Sequence, residues 1–431
     1  MSTSQRIFVS AGEASGDLYG SLLIEALGKR LAGVEFFGCG GDRMRAAGCQ
    51  TLVDARQLAM VGIVEVLPGL PRVWRALQLL KHSAQKERPA LAILVDFPDF
   101  NLRLAKELKR IGTPVVYFVA PQVWAWRPGR LKTLRRNVDR LLCIFPFEEA
   151  FFKAGNVAAE FVGHPLVTRV APSLSAEDFR ARFGLPQTTP LVALLPGSRR
   201  REIELNLPPL LETARILAAS KEYCFVVPAA STIGAEWICG QAQGSGLAAF
   251  HVVEGHTYDV VAHSRAAVVA SGTATIETAL LGTPMVVVYR VSRATWALGS
   301  GLVHTPFYSM VNIVAGQRIV PEFIQDDFKP EAVARDIRLL LESELLRDRM
   351  RQQFRDMAEK LRAPSALPSS QFPAGKENPA GKNPLQDDKF MDPIQRAAGI
   401  AESFLQGAAG KSNVRQWTPG SPDEGRTARP R

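Results

Sequence analysis

The sequence predicts an α/β protein built on two doubly wound parallel sheets. The first observation is a regular alternation of short apolar runs with helix-like stretches, which is typical of βαβ units. The second is a reset of this alternation after a Pro- and Ser-bearing stretch at residues 167–176. The third is size, since 431 residues with 46% hydrophobic composition can bury two sizeable cores. Ligands of such sheets bind beyond the carboxyl ends of the strands.

The predicted strands form two groups, one on each side of the reset. The first group comprises residues 6–10, 34–38, 91–95, 114–119, 140–145 and 160–162. The second comprises residues 191–195, 223–227, 249–253, 266–269 and 285–289. We therefore expect one domain at 1–166 and another at 167–362. Pro, Ser, Gly and Lys predict a flexible insertion at 363–388, helical periodicity returns at 389–407, and the polar residues 408–431 predict a disordered tail.

Composition and charge narrow the possible partners and the compartment. There are 52 Lys and Arg against 42 Asp and Glu, and a net charge of +10 favours nucleic acid, phosphorylated substrates or acidic membrane surfaces. Five cysteines without C-x-x-C spacing predict neither a disulfide framework nor a zinc site. The start of the chain lacks the apolar region of a signal peptide, so we expect a cytoplasmic protein. Residues 294–316 are uncharged, but their His, Pro and Asn argue against a membrane-spanning helix.

Two glycine-containing turns, one in each half, are predicted to join a strand to a helix. Residues 11–17 read A-G-E-A-S-G-D and include Glu13 and Ser15, and residues 271–277 read S-G-T-A-T-I-E. Such turns direct unpaired backbone N–H groups and the positive end of a helix at one point, which suits a phosphate or another anion. In the second turn, Ser271, Gly272 and Thr273 would hold the anion. Neither turn matches G-x-G-x-x-G or the Walker pattern, which disfavours dinucleotide hydride transfer and ATP hydrolysis.

Two carboxylates follow the apolar run at 91–95, in D-F-P-D-F-N. Asp99 stands directly before a predicted helix, so N-capping is its favoured role. Asp96 lies at the carboxyl end of the predicted strand, where open α/β sheets place their ligands. Local sequence leaves Asp96 open between a general base and a structural turn residue.

Two further charged residues are candidates for binding an anionic ligand. Arg199 follows a strand and a tight turn in L-L-P-G-S-R, where a guanidinium could hold a diphosphate. An arginine in a first helical turn opposes the helix dipole unless an anion compensates, although an exposed basic helix start is the alternative. Glu277 lies one turn along its helix from Thr273 and could accept hydrogen bonds from ribose hydroxyls; a solvated first-turn glutamate is the alternative.

Tryptophans accompany basic residues in two stretches, P-Q-V-W-A-W-R-P-G-R at residues 121–130 and V-E-V-L-P-G-L-P-R-V-W-R at residues 64–75. This composition suits a lipid headgroup interface. Single-stranded nucleic acid binding and ordinary core packing of the tryptophans are the alternatives. His164, near the predicted domain crossover, is favoured as a hinge residue over a catalyst.

Six ordered motifs together resemble the lipid-A-disaccharide synthase family. They are A-G-E-A-S-G-D at 11–17, M-V-G-I-V-E-V-L at 60–67, D-F-P-D-F-N at 96–101, P-Q-V-W-A-W-R at 121–127, L-L-P-G-S-R at 194–199 and S-G-T-A-T-I-E at 271–277. The resemblance covers residues 6–362 and extends to the helix after 389. It implies a GT-B glycosyltransferase, with two Rossmann-like domains facing a cleft and the last helix packing back on the fold.

The resemblance also implies roles for individual residues. Asp96 matches the base, Arg199 and Glu277 match residues that serve UDP, and Glu13 and Asn312 match positions at the active site. The N-terminal domain would take the acceptor and face the membrane, and the C-terminal domain would bind the UDP-sugar. The residues expected at the membrane and acyl interface are Val66, Leu67, Trp74, Trp124, Trp126, Arg127 and Arg130.

The activity implied by the resemblance is an inverting, metal-independent transfer. It moves 2,3-diacylglucosamine from UDP to the 6-hydroxyl of 2,3-diacylglucosamine 1-phosphate, giving a β-1,6 disaccharide and UDP. No cofactor and no nucleic acid partner are expected, the location is the inner face of a Gram-negative inner membrane, and a homodimer is possible. A UDP-sugar 2-epimerase and a basic nucleic-acid-binding module are the competing interpretations.

Overall fold

A computed structural model describes residues 5–58, 66–126, 128–230, 233–293, 295–296, 305–363 and 390–411. The predicted insertion at 363–388, apart from Ala363, lies outside these ranges. Of the predicted disordered tail at 408–431, residues 408–411 belong to the last helix instead, and the remainder lies outside the ranges. Two parallel sheets, one in each half of the chain, organise the described residues. This architecture confirms the predicted fold class of two doubly wound α/β units.

The first sheet has seven parallel strands in the order β3-β2-β1-β4-β5-β6-β7. Its central strands β1 and β4 are almost entirely buried, because helices cover both faces of the sheet. The strands are β1 (Arg6–Ala11), β2 (Glu35–Gly40), β3 (Cys49–Asp54), β4 (Leu91–Val95), β5 (Val115–Phe118), β6 (Arg140–Cys143) and β7 (Ala159–Phe161).

The second sheet has six parallel strands in the order β10-β9-β8-β11-β12-β13. Valine and alanine dominate its centre, where every side chain of β8 and β11 is buried. The strands are β8 (Leu191–Leu195), β9 (Cys224–Ala229), β10 (Phe250–Glu254), β11 (Ala266–Ala270), β12 (Met285–Tyr289) and β13 (Glu322–Ile324).

Helices connect most of the consecutive strands, as crossovers between parallel strands require. Those of the first half are α1 (Ala14–Arg30), α2 (Asp42–Ala46), α3 (Val66–Glu87), α4 (Pro98–Arg110), α5 (Val123–Trp126), α6 (Leu131–Asn137) and α7 (Pro146–Ala154). Those that follow are α8 (Ala176–Arg182), α9 (Arg200–Ala218), α10 (Ala235–Ala242), α11 (Thr257–Ala262), α12 (Thr273–Leu280), α13 (Met310–Ala315), α14 (Pro330–Glu342), α15 (Glu344–Lys360) and α16 (Pro393–Lys411).

The end of the chain returns to the first half. After α15, the Leu361 carbonyl accepts a hydrogen bond from the His164 N–H at 2.9 Å. Helix α16 then packs against α1, and its Glu402 forms an ion pair with Arg30 at 3.3 Å. His164 is buried, and burial lowers its pKa to about 3, so the ring is neutral and its Nδ1 accepts from the Leu166 N–H at 3.2 Å. These contacts give His164 a structural place at the crossover.

Two strands in the structure were not predicted from the sequence. β3 and β13 are the outermost strands of their sheets. Each is partly exposed, and β13 has only three residues, so neither shows the continuous apolar run of a central parallel strand. All five cysteines are free, and Cys39, Cys49, Cys143 and Cys224 are buried.

Candidate active site

The candidate site lies where the strand order of each sheet reverses direction. In the first sheet β1 and β4 are neighbours, and in the second β8 and β11 are neighbours, although other strands separate each pair along the chain. Connections from such a pair leave in opposite directions and open a crevice at the carboxyl ends of the strands. The loops after these four strands carry Glu13, Asp96, Arg199 and Ser271, so four predicted site segments occupy the two crevices.

Asp96 is held in an unusual backbone conformation at the end of β4. Both Asp96 and Phe97 have positive φ, at 47° and 51°. The carbonyl of Asp96 accepts hydrogen bonds from the Tyr117 hydroxyl at 2.6 Å and from the Asn101 side-chain amide at 2.8 Å. Non-glycine residues in this region are strained and cluster at functional sites. Two buried side chains thus fix the direction in which the Asp96 carboxylate leaves the strand.

The environment of Asp96 shifts its protonation equilibrium. Burial, and then the negative charge of Glu13, raise the pKa of Asp96 to about 6, and the Phe97 N–H partly opposes that rise. A carboxyl with this pKa is ionised near neutral pH yet more basic than an ordinary aspartate. That combination suits a general base.

Gly12 allows the Asp96 loop to lie directly on the first glycine turn. A Cβ at Gly12 would overlap the Phe97 ring, so only glycine accommodates that contact. The preceding strands are in register, with Ala11 beside Val95. The contact brings Glu13, which begins α1 without a side-chain cap, close enough to influence Asp96.

Substituting Gly12 with alanine is expected to displace Phe97 or the turn. Overpacking of this kind costs about 1–3 kcal/mol. We expect Gly12→Ala to lower the free energy of unfolding by that amount in urea titration and to lower turnover as well. Gly28→Ala on the exposed side of α1 is the matched control, because its Cβ meets nothing within 4 Å. Equal stability of the two variants would contradict the packing argument.

The Asp17 carboxylate at the end of the first motif has a structural role. Its Oδ1 accepts from the Gly41 N–H at 2.6 Å and the Met44 N–H at 3.2 Å, and its Oδ2 accepts from the Arg43 N–H at 3.1 Å. It therefore satisfies the first N–H groups of α2.

Arg199 connects the two halves of the protein across the crevice. Its guanidinium lies 3.7 Å from the Glu13 carboxylate and 3.2 Å from the Glu202 carboxylate. Glu202 also accepts from the Ser198 N–H at 3.0 Å and, at 3.4 Å, from the Arg199 N–H. A carboxylate therefore occupies the N–H groups at the start of α9, where an anion is expected to bind. Arg199 itself is exposed and able to reach a ligand.

The second glycine turn forms a wall of the crevice in the second half, where it follows β11, the neighbour of the strand β8 that precedes Arg199. Gly272 has a φ of 153° and precedes α12 without a side-chain cap, and Thr273 beside it is exposed. Glu277 accepts a hydrogen bond from the Tyr258 hydroxyl at 3.0 Å, and burial raises its pKa. In the other half, burial and then the charges of Glu277 and Asp96 raise the pKa of the Tyr19 hydroxyl. Tyr19 thus lies within electrostatic reach of both carboxylates.

Asn312 is close to this wall, but its side chain is engaged in hydrogen bonds within the protein. Its side-chain oxygen accepts from the Ile319 and Val320 N–H groups, at 2.8 and 3.0 Å. Its amide donates to the Val320 carbonyl at 3.0 Å and to Glu322 at 2.9 Å. Because Glu322 also binds the Ser309 N–H, Asn312 fixes the segment whose Tyr308 carbonyl accepts from the Ser271 hydroxyl at 2.8 Å. These contacts favour positioning over direct contact with a ligand.

The predicted membrane and acyl interface is only partly described. Trp74 on α3 is 61% exposed. Trp124, by contrast, donates from its indole N–H to buried Glu148 at 3.1 Å and stacks edge-on against Phe147, which is the packing alternative. Arg127 and the side chains of Val66, Leu67 and Trp126 lie outside the described residues.

Arg130 and Asp99 form an ion pair, in which the Arg130 side chain is 16% exposed. The interface role of Arg130 stays a prediction, whereas the structure corrects the expectation for Asp99. The residue that precedes α4 is Phe97, and Asp99 lies within the helix. The N-capping role predicted for Asp99 is therefore wrong.

Several contacts in and near the candidate site were not predicted from the sequence. Asn101 was part of a motif, but nothing in the sequence indicated that it would bond the Ser10, Val95 and Asp96 carbonyls. Tyr117 and Tyr258 stand outside every motif, and only their positions near strand or helix ends hinted at the site. Glu148 is buried, and burial raises its pKa to about 8.

Within the described ranges there is no group of three or more His, Cys, Asp or Glu residues suited to hold a metal ion. No helix of these ranges has the length and apolarity that crossing a membrane requires.

Comparison with known proteins gives consistent relationships. A family model described as lipid-A-disaccharide synthetase matches residues 7–372. A lipid-A-disaccharide synthase of Solibacter usitatus is 46% identical over 84% of this chain and 94% of its own. A UDP-GlcNAc 2-epimerase from Neisseria meningitidis bound to UDP-GlcNAc has a TM-score of 0.57 at 10% identity, covering 83% and 99% of the two chains. The calicheamicin glycosyltransferase CalG4 has a TM-score of 0.54 at 15% identity, covering 94% and 99%.

Proposed function

Since the chain belongs to the lipid-A-disaccharide synthetase family, we propose that it joins two acylated glucosamines into the lipid A disaccharide. The donor is UDP-2,3-diacylglucosamine, and the acceptor is the 6-hydroxyl of 2,3-diacylglucosamine 1-phosphate. The products are the β-1,6-linked disaccharide 1-phosphate and UDP. The two-sheet GT-B architecture is shared with glycosyltransferases and epimerases of very different sequence, so it supports the class of fold and not the substrates.

One observation carries the proposal. Glu13 interacts electrostatically with Asp96 and with Arg199 of the other half. The candidate base, Asp96, and the candidate diphosphate-binding residue, Arg199, therefore border one crevice. An acceptor hydroxyl entering from the Asp96 side would face a donor whose diphosphate lies on the Arg199 side. That arrangement fits direct displacement with inversion at the sugar carbon.

In this mechanism the Asp96 carboxylate accepts the proton of the acceptor 6-hydroxyl while the oxygen attacks the donor sugar carbon. The bond to the UDP oxygen breaks, and the diphosphate takes the electron pair without needing a proton. Arg199 and the N–H groups at the starts of α9 and α12 stabilise the charge that develops there. This supports metal-independent transfer. Ser271, Gly272 and Thr273 are proposed to line the phosphate site. Ser15, in the first turn of α1, is proposed to contact the substrate from the other half.

Glu277 is proposed to bind the UDP ribose. Its carboxylate is half-buried and directed by the Tyr258 hydroxyl at 3.0 Å. A half-buried acceptor fixed in this way suits paired sugar hydroxyls, which donate hydrogen bonds.

We further propose that the protein acts peripherally on the anionic inner face of the inner membrane. Helix α3 supports this, because its described part presents Trp74 and Leu79, 61% and 48% exposed, together with exposed Arg75 and Lys86. Apolar side chains mixed with cations bind anionic lipid surfaces, each cation contributing about 1 kcal/mol.

Trp74→Ser is expected to weaken binding to phosphatidylglycerol vesicles about tenfold, because it removes one large apolar side chain from the interface. Co-sedimentation with vesicles measures the effect. Leu339→Ser is the control, since Leu339 is 51% exposed but lies on α14 of the other half. Equal losses in both variants would show that α3 does not face the membrane.

The activity is tested by incubating the full chain with the defined diacylated donor and acceptor in detergent. Stoichiometric UDP and disaccharide are expected. Release of UDP without disaccharide, or epimerisation of UDP-GlcNAc, would favour the epimerase interpretation. Absence of both products with a folded protein would remove the proposal.

A further inference from the structure

A basic cavity lies far from the candidate active site, on the second half of the protein. It has a volume of about 410 Å³, and its lining includes Arg180, Arg265, Arg347, Arg351, His263 and Glu344. That volume is in the range of small-molecule sites, about 300–1,000 Å³. Four arginines and one glutamate are among its lining residues, so the cavity carries positive charge, and the Arg180 Nη1 donates to the Thr189 carbonyl at 3.0 Å.

The cavity is at the amino ends of the strands, opposite the crevice. Leu191, the first residue of β8, is part of its lining, and so are Ser264 and Arg265, which directly precede β11. The loops of Arg199 and Ser271 follow the other ends of the same two strands. Five-residue strands separate the two sites by about 16 Å. The cavity is therefore separate from the proposed UDP site.

Arg347 is the fixed centre of this cluster. It is only 5% exposed, and its Nη1 donates to the Leu340 and Leu341 carbonyls at 2.9 and 3.1 Å. Burial lowers its pKa, the positive charges of Arg265 and Arg351 lower it further, and the negative charges of Glu344 and Asp348 oppose this only in part. A buried cation beside like charges is costly unless an anion compensates.

Arg265 is available to a ligand. Over the parts of the chain that the structure describes, its guanidinium makes no hydrogen bond or ion pair, and the residue is exposed. Arg351 is partly engaged, since its Nη1 contacts Asp348 at 3.0 Å and its Nε donates to the Gly282 carbonyl at 3.3 Å. The His263 Nε2 donates to the Leu174 carbonyl at 2.9 Å, which leaves only its Nδ1 for other contacts.

We propose that this cavity is a second anion site that binds a phosphate group. Guanidinium groups match phosphate oxygens with paired hydrogen bonds, and four arginines in one lining suit a dianionic phosphate or a diphosphate. Arg180 and Arg347 each donate through Nη1 to backbone carbonyls, so Arg265 is the arginine most available to the ligand. The phosphate can belong to a small soluble compound or to a lipid headgroup. Leu345 and Leu346 on the first turn of α15 are exposed beside the cavity, so both sources are tested.

The soluble source is tested by calorimetric titration of the full chain with inorganic phosphate and with diphosphate, in the presence of saturating UDP. Arg265→Ala is expected to weaken binding about tenfold, as the loss of one charged hydrogen-bonding group predicts. Arg355→Ala is the matched control, because Arg355 lies one turn further along α15 and contacts Gln352 outside the cavity lining. Arg199→Ala changes the crevice alone, so any phosphate binding that this variant loses belongs to the crevice and not to the cavity.

The lipid source is tested by vesicle binding of the same variants and of Arg265→Ala combined with Arg351→Ala. Loss of binding to phosphatidylglycerol vesicles in the double variant, with none in Arg355→Ala, would support the site and identify a headgroup as its ligand. Thermal unfolding verifies that the variants are folded, and Arg265→Ala removes no internal contact. The proposal is overturned if neither soluble phosphates nor anionic vesicles distinguish Arg265 from Arg355. None of these measurements depends on turnover.

Discussion

Asp96→Asn is expected to lower kcat by about 10²- to 10⁴-fold, the usual contribution of a positioned general base. Asparagine has nearly the same shape and keeps the backbone bonds from Tyr117 and Asn101, which involve the Asp96 carbonyl. Affinity for the UDP donor is therefore expected to stay within about twofold, because a group acting only on the acceptor proton contributes to turnover and not to donor binding. Single-turnover kinetics and UDP titration measure the two quantities.

Stability provides the control for this variant. The folded-state pKa of Asp96 is raised from 3.8 to about 6, so protonation of this carboxyl favours the folded state. That contribution is fully present below pH 3.8 and is lost as the pH rises through about 6. Asparagine resembles the neutral carboxyl, so Asp96→Asn is expected to unfold at an equal or higher temperature than the parent at pH 7. A near-normal rate in a folded Asp96→Asn protein would refute its assignment as the base.

The same pKa predicts the acid limb of the pH profile. Activity as kcat/KM is expected to fall below about pH 6, where Asp96 becomes protonated. Glu13→Gln removes the negative charge that, after burial, raises this pKa, so its acid limb is expected to move to lower pH. Burial remains the larger cause, and the limb should stay above that of an exposed aspartate. An unchanged limb in Glu13→Gln would show that another group controls it.

Much of the fold was readable because central parallel strands carry continuous apolar runs. All five strands predicted for the second half correspond to strands in the structure, and so do the six predicted for the first. The site segments were also readable, since glycine turns and polar residues directly follow β1, β4, β8 and β11. The order of the strands could not be predicted from the sequence, because it depends on which distant segments pair. That order places the four segments at two reversals of the sheets.

Individual side-chain roles were less predictable, because they depend on partners distant in sequence. The partner of Asp99 is Arg130, and that of Arg199 across the crevice is Glu13. The side chain of Asn312, in contrast, bonds to residues seven to ten positions away, Ile319, Val320 and Glu322, and no motif indicated those contacts. A motif indicates which segment forms a site, whereas the fold decides which member faces the ligand.

Arg199→Ala is expected to weaken UDP binding about 10- to 100-fold, since hydrogen bonds to charged groups contribute about 1.5–3 kcal/mol. Arg199→Lys should recover only part of this, because an ammonium lacks the paired donors that fit a diphosphate. Arg201→Ala is the matched control: Arg201 is an exposed arginine two residues away that pairs with Glu204 at 3.0 Å. UDP titration of the three variants measures the effect.

The size of this loss depends on the carboxylates that contact Arg199. Arg199 is balanced by Glu13 and Glu202, and Glu202 also holds the N–H groups at the start of α9. A diphosphate that binds there replaces carboxylate contacts already present, so the net gain from Arg199 is a difference between two anionic partners. In a Glu202→Gln background Arg199 gives up no carboxylate contact with Glu202 on binding the diphosphate, so Arg199→Ala should cost more UDP affinity there than in the parent, and a double-mutant cycle measures that coupling. Additive effects in the cycle would show that Glu202 does not compete with the diphosphate.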